Sequence, residues 1–132
     1  MQRRDARGMF AALFLAAALR YPLDAQMLGR ADVRGCFERV LKGGGYGHLP
    51  LESAAFLIAK DDGYECAVWP RSVSFHSQSW PGRMPESTVA IIHSHPVELP
   101  DPSWRDVRLA ERLRIPIFVV TPRAILRAGP GS

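Results

Sequence analysis

Two short runs, residues 88–94 (TVAIIHS) and 115–121 (IPIFVVT), are rich in β-branched side chains and apolar at most positions. A strand with one wet face alternates apolar and polar residues. Runs with little alternation read as strands buried on both faces. Such strands need helices above and below them. Residues 103–114 (SWRDVRLAERLR) supply one, with Val107, Leu109, Ala110 and Leu113 expected inward. Residues 31–42 (ADVRGCFERVLK) supply another, with Val33, Cys36, Phe37, Val40 and Leu41 on one stripe and Asp32 as the expected N-cap. Residues 54–60 (AAFLIAK) and 64–69 (YECAVW) flank Asp61-Asp62-Gly63, a hairpin signal. A further strand is expected at 71–76, a loop at 77–87, irregular chain across the prolines of 96–102, and a short last strand at 124–128. Gly43-Gly44-Gly45 reads as a flexible stop after the second helix, because no GK[ST] and no helix follows it. The order predicts a mixed α/β sheet sandwiched by helices.

The chain has 132 residues, enough for one domain with its own core. Its composition excludes a disordered tail or a membrane protein. Net charge is +4, and fifteen of the seventeen basic residues are Arg. That balance admits acidic partners, but no basic run and no basic-aromatic interleaving is present, so nucleic acid is not the expected partner. Cys36 and Cys66 lack CxxC spacing; they are expected as reduced, semi-buried thiols, with Cys36 in the core, and a bridge between them is left open because sequence does not decide whether their side chains meet.

Residues 8–19 (GMFAALFLAAAL) follow a basic start and have the outline of a signal peptide, but no small-residue cleavage site follows. The stretch is too short to span a bilayer, which needs about 20 residues. It is expected as a helix over 9–20, ended by Tyr21-Pro22 and packed on the domain or a partner. The division is therefore an N-terminal helical extension at 1–30 and a catalytic-type domain at 31–132, in a cytoplasmic protein. The alternative is an exported one.

The chemistry concentrates where the first buried strand runs out, at His93-Ser94-His95. Positions i and i+2 of a strand share a face. Two imidazoles so placed can converge on one metal ion, with a third ligand drawn from elsewhere and a fourth position open. Asp106, in the first turn of the next helix, is the candidate third ligand. Ser94 points the other way and reads as structural. Ser103-x-x-Asp106 alone is a capping box. Ordinary residue frequencies place the whole pattern His-x-His-x7-Ser-x2-Asp in so short a chain with a chance on the order of 10⁻⁴.

The run H93-S-H95-P-V-E-L-P-D-P-S103-W-R-D106, with Glu52 ahead of an apolar strand in PLESAAFLI, resembles the JAMM (MPN+, JAB) metalloprotease family. Ala55 stands where that family commonly has Gly. Glu38, Glu65, Glu86 and Glu98 precede no such strand. The resemblance covers residues 31–128. It implies a cytidine-deaminase-like JAB/MPN core and a zinc ion held by His93, His95 and Asp106. Glu52 would be the general base and Ser103 the oxyanion donor. It further implies cleavage of the amide or isopeptide bond after the tail of a ubiquitin-like or sulfur-carrier-like protein, beside ubiquitin-transfer-like enzymes. Residues 70–87 are the expected flap over the substrate, unless a partner protein takes that role. A non-catalytic scaffold, a DNA-repair-associated relative and a cell-wall or phage-tail peptide hydrolase are the other readings. His48 and His76 lack partners at ligand spacing. Trp104 either lines the cleft or covers its helix.

Overall fold

The computed structural model describes residues 22–49, 51–70, 80 and 82–130. The helix expected at 9–20, the strand at 71–76, His76 and most of the expected flap lie outside these residues. The described elements are α1 (Pro22–Leu28), α2 (Ala31–Gly43), a 3-10 turn (Gly45–Gly47), β1 (Ala54–Lys60), β2 (Gly63–Val68), β3 (Thr88–Ser94), α3 (Trp104–Leu113), β4 (Ile117–Val120) and β5 (Ile125–Ala128).

The strands form one five-stranded sheet in the order β2-β1-β3-β4-β5. The β1–β2 hairpin is antiparallel, with Lys60 opposite Gly63. β1 is antiparallel to β3, and β4 is antiparallel to β5. β3 and β4 run parallel, Ile91 beside Ile117, because α3 carries the chain back across the sheet between them. The mixed sheet predicted from the sequence is therefore present.

Period-two alternation assigns the two faces. On one face Ala55, Leu57, Ala90, Ile92, Phe118 and Val120 meet Val33, Cys36, Phe37, Val40 and Leu41 of α2. The rings of Phe37 and Phe118 meet edge-on at 5.8 Å. Truncating a side chain as buried as Phe37, at 1% exposure, costs about 3–5 kcal/mol. Met27 and Leu28 of α1 join the same cluster. On the other face Phe56, Ile58, Ile91 and Ile117 meet Leu109, Ala110 and Leu113 of α3.

Four sequence expectations need correction. Arg30, not Asp32, occupies the N-cap of α2. Asp32 sits inside the first turn, where its carboxylate accepts the Val33 and Tyr64 N–H groups, both at 2.9 Å, and pairs with Arg30 at 3.1 Å. It therefore ties the helix start to β2 as well as complementing the helix dipole. Val107 is half-exposed, and Asp106 takes its place on the inward stripe with Leu109, Ala110 and Leu113. Cys36 and Cys66 are not free thiols. They form a disulfide between α2 and β2, with Cα atoms 5.5 Å apart. Closing a loop of 30 residues contributes about 3–4 kcal/mol in the chain-entropy account. Cys36 is nonetheless in the core, as expected.

The fourth correction concerns the glycines. α2 ends at Gly43, and the Gly44 N–H caps it on the Val40 carbonyl. The segment is not a loose stop. A Cβ on Gly43 would lie 2.6 Å from Ser53 Oγ, and one on Gly44 would collide with Ser94 Oγ. The helix end can press onto the ends of β1 and β3 because these two residues lack side chains.

Candidate metal centre

The site follows from the same alternation. Ile91 faces α3, so His93 and His95 continue on that face, beyond the apolar contacts and level with the start of α3. Glu52 precedes Ala54 and Phe56 at the same two-residue step on the neighbouring strand. Ser53 and Ser94 point to the opposite face. There the Ser53 N–H donates to Ser94 Oγ at 2.8 Å, and the Ser94 N–H donates to the Ser53 carbonyl at 2.9 Å. Ser94 is thus structural, as its position between the histidines predicted. Its bonds fix Glu52 beside His93.

The ligand atoms of Glu52, His93 and His95 all lie within 4.8 Å of one another. Glu52 Oε2 is 3.2 Å from His93 Nε2. Asp106 approaches the other edge of the His93 ring, Oδ1 to Nδ1 at 3.5 Å, and places Oδ2 3.4 Å from His95 Nε2. The imidazoles stand nearly perpendicular, 4.8 Å between centroids. All four side chains are largely buried, the most exposed being His93 at 17%.

The start of α3 positions Asp106. Ser103 is the N-cap. Its Oγ accepts the Asp106 N–H at 3.1 Å, while Asp106 Oδ2 accepts the Ser103 N–H at 2.8 Å. The capping box read from the sequence is present and holds the carboxylate against both histidines. The loop before it positions His95, whose Nδ1–H donates to the carbonyls of Leu99 and Asp101, each at 3.0 Å. These carbonyls orient the ring and turn Nε2 toward Asp106. The sequence reading missed both orienting carbonyls. Each belongs to a residue preceding a proline in the run Leu99-Pro100-Asp101-Pro102, which keeps those residues out of the helical region.

Electrostatics identify the kind of guest the cluster fits. Burial pushes the His93 imidazolium toward neutrality, but Asp106 and Glu52 outweigh burial and hold its pKa at about 9. Burial pushes the Asp106 carboxyl up, but hydrogen bonds from His93, His95 and the Ser103 backbone outweigh it and carry it well below the usual carboxylate range. His93 stands between Glu52 and Asp106, and His95 Nε2 lies 3.4 Å from Asp106 Oδ2, so two buried carboxylates share the cluster with two imidazoles. Buried carboxylates need positive charge beside them, which the His93 imidazolium or a divalent cation supplies, and the donor set of imidazoles and carboxylates suits a divalent cation.

The cluster lines a cleft of about 660 Å³. Trp69, Ile91, Leu109 and Ile117 make its apolar wall, and Leu99, Ser103, Trp104 and Arg105 its rim. Trp69 packs on Phe56 at 5.1 Å, an aromatic wall that the strand reading did not single out. Trp104 both lines the cleft and stays 64% exposed. The rival acids Glu38, Glu65, Glu86 and Glu98 are exposed, and none is among the residues lining this cleft. His48 is exposed and closes the 3-10 turn instead.

The profile of the prokaryotic homologs of the JAB domain matches residues 46–128, from the glycine turn through β5 and across every residue of the cluster. The chain belongs to this family. No curated protein matches the chain. The JAB assignment agrees with the resemblance carried by the His-Ser-His-Pro and Ser-x-x-Asp segments. This JAB domain has a site able to hold a metal ion, as a metal-dependent hydrolase of the family requires. No helix among the described residues is long and apolar enough to cross a membrane.

Proposed function

We propose that the chain is a zinc-dependent peptidase that hydrolyses the amide or isopeptide bond after the C-terminal tail of a ubiquitin-like or sulfur-carrier-like protein. The observation that carries this reading is the convergence of Glu52, His93, His95 and Asp106 at one end of an apolar cleft with Ser103 on its rim. His93, His95 and Asp106 would hold the zinc. When bound, zinc supplies a polarised scissile carbonyl and a water with its pKa lowered toward about 7.

The remaining work falls to the chain's own groups. Glu52 is not needed for the helix cap or the core, and its carboxylate already faces the cluster at His93 Nε2. It takes the proton of the attacking water and passes it to the leaving amine nitrogen. Ser103 Oγ accepts the Asp106 N–H through a lone pair. Its own hydroxyl hydrogen stays available for the oxyanion of the tetrahedral carbon. The apolar wall of Trp69, Ile91 and Ile117 excludes water around the extended tail. The site residues lie in the domain assigned to 31–132, and residues 1–30 would act as an extension to it.

The test is Glu52→Gln assayed against fusions of ubiquitin-like tails. Zinc should stay bound and turnover should fall by at least about 10²-fold. A wild-type rate in the variant would remove Glu52 from the role of base.

The Cys36–Cys66 disulfide favours a second setting for the same chemistry. Such bonds persist in oxidising compartments, which suits an exported peptide hydrolase better than a cytoplasmic one. Mass spectrometry of protein alkylated without reduction, taken from the native host, distinguishes the two. Free thiols support the cytoplasmic setting.

A further inference from the structure

The rim of the cleft carries features that neither the metal cluster nor the core requires. Leu99 and Trp104 are the two most exposed large apolar side chains among the described residues, at 67% and 64%. Both border the cleft. Trp104 is fixed there by sequence, because it directly follows the N-cap Ser103. The guanidinium groups of Arg105 and Arg108 each lie 5.5 Å from the Trp104 ring centroid. Arg108 reaches the ring from one helical turn on, and Arg112 falls on the same side of α3. A shallow depression lined by Trp104, Arg105, Arg108 and Arg112 continues the cleft over the outer surface of the helix.

Neither Arg105 nor Arg108 has a carboxylate within ion-pair distance among the described residues. Two cations stacked on one indole, without anions, leave their outward N–H donors unsatisfied except by water. Arg presents these donors in a fixed fork that matches a carboxylate. The opposite charges nearby are Asp101 on the rim and Glu111 along the helix, neither of them paired with these two arginines.

We infer that Trp104, Arg105 and Arg108 form a recognition surface for an acidic peptide segment, one with carboxylates and an aliphatic side chain a few residues from the bond in the cleft. Leu99 takes the aliphatic group, and the two guanidinium groups stacked on Trp104 take the carboxylates. A polynucleotide fits less well. The Trp104 ring is already covered by two cations, so it is not a free stacking platform for bases. Asp101, Glu52 and Asp106 also line the same cleft and would repel a continuous phosphate backbone. The inference deepens the peptidase reading and rests on it for the identity of the occupant as peptide.

The experiment measures binding and cleavage separately. Full-length chain carrying Glu52→Gln is titrated against fluorescent peptides that share a leucine-containing frame and differ only in Glu or Lys at the flanking positions. A single-stranded oligonucleotide of matched charge is the third probe. The acidic peptide should bind about tenfold tighter than the basic one, a preference that shrinks as salt is raised. The preference should vanish in Arg105→Gln/Arg108→Gln, whose unchanged melting temperature shows that the fold is kept. Equal binding of the two peptides, a preference that survives the double substitution, or an oligonucleotide that binds tightest would each overturn the inference. Wild-type cleavage is scored independently. Sign preference without cleavage contradicts the peptidase reading alone, and cleavage without sign preference contradicts this inference alone.

Discussion

Replacing Gly44 by alanine tests whether the end of α2 holds the metal cluster in place. Gly44 has φ −88° and ψ 12°, a conformation open to alanine, so any cost is steric. With free space, a Gly→Ala change would stabilise the protein by about 0.4–1 kcal/mol through the unfolded chain. Here the new Cβ would lie 3.0 Å from Ser94 Cβ, 3.5 Å from the Leu51 carbonyl oxygen, and inside contact distance of Ser94 Oγ. Ser94 is 1% exposed and bonded to Ser53, so it has no free rotamer into which to retreat. Overpacking of this kind costs about 1–3 kcal/mol, which outweighs the entropic gain and leaves a net loss of about 1–2 kcal/mol. Thermal unfolding should register it as a fall of roughly 3–8 °C. Ser94→Ala alone should also destabilise, by about 1–3 kcal/mol, because the Ser53 N–H loses its acceptor. The two changes should not add. Without Oγ the worst overlap is gone, so the double variant should lie about 1 kcal/mol above the sum of the singles. Ser94 sits between His93 and His95, so Gly44→Ala should weaken metal binding as well. A stabilised Gly44→Ala protein, or strict additivity with Ser94→Ala, would refute the close approach.

Three other outcomes are expected. Ser103→Ala should cost about 1 kcal/mol of stability through the lost cap and lower turnover by about 10²–10³-fold, with Ser103→Thr restoring most of the stability. Calorimetry and peptide cleavage measured on both variants would separate the two effects. In chelator-treated protein, stability should fall as pH rises through about 9. Folded His93 binds its proton more tightly than the unfolded imidazole at its ordinary 6.5, so its contribution is complete below pH 6.5 and is lost by about pH 9. The loss amounts to about 3 kcal/mol, and a flat denaturation midpoint across that window would contradict the His93 contacts with Glu52 and Asp106. Reducing the Cys36–Cys66 bond in intact protein should lower the melting temperature, and no change on reduction would mean that the bond does not constrain the hairpin.

The strands and the cluster were legible because both depend on strict local periods. Residues 88–94 and 115–121 could be placed by composition alone. The two-residue step then carried His93 and His95 to one face, and Ser94 to the other, without knowledge of the partner strands. Ser103 and Asp106 were legible for a similar reason, since a capping box is a contact between residues three apart. The errors arose where the deciding contact was remote in sequence. Asp32 resembles a cap locally, but its second partner is the backbone of Tyr64 across the hairpin. Cys36 and Cys66 meet only after α2 docks on β2. Gly43 and Gly44 look like a flexible stop until Ser53 and Ser94 are seen against them. Val107 reads as inward on hydrophobicity alone, yet the inward position belongs to Asp106, whose partners are histidines on another element.

Metal content tests the central claim most directly. Purified full-length protein and its His95→Ala variant, each exchanged into metal-free buffer after saturation with zinc, would be measured by elemental mass spectrometry. The account predicts about one zinc per chain in the wild type and none retained in the variant, as expected for a site that loses one of its few protein ligands. A wild-type protein that retains no zinc, or a variant that retains as much as the wild type, would contradict a metal site held by His93, His95 and Asp106.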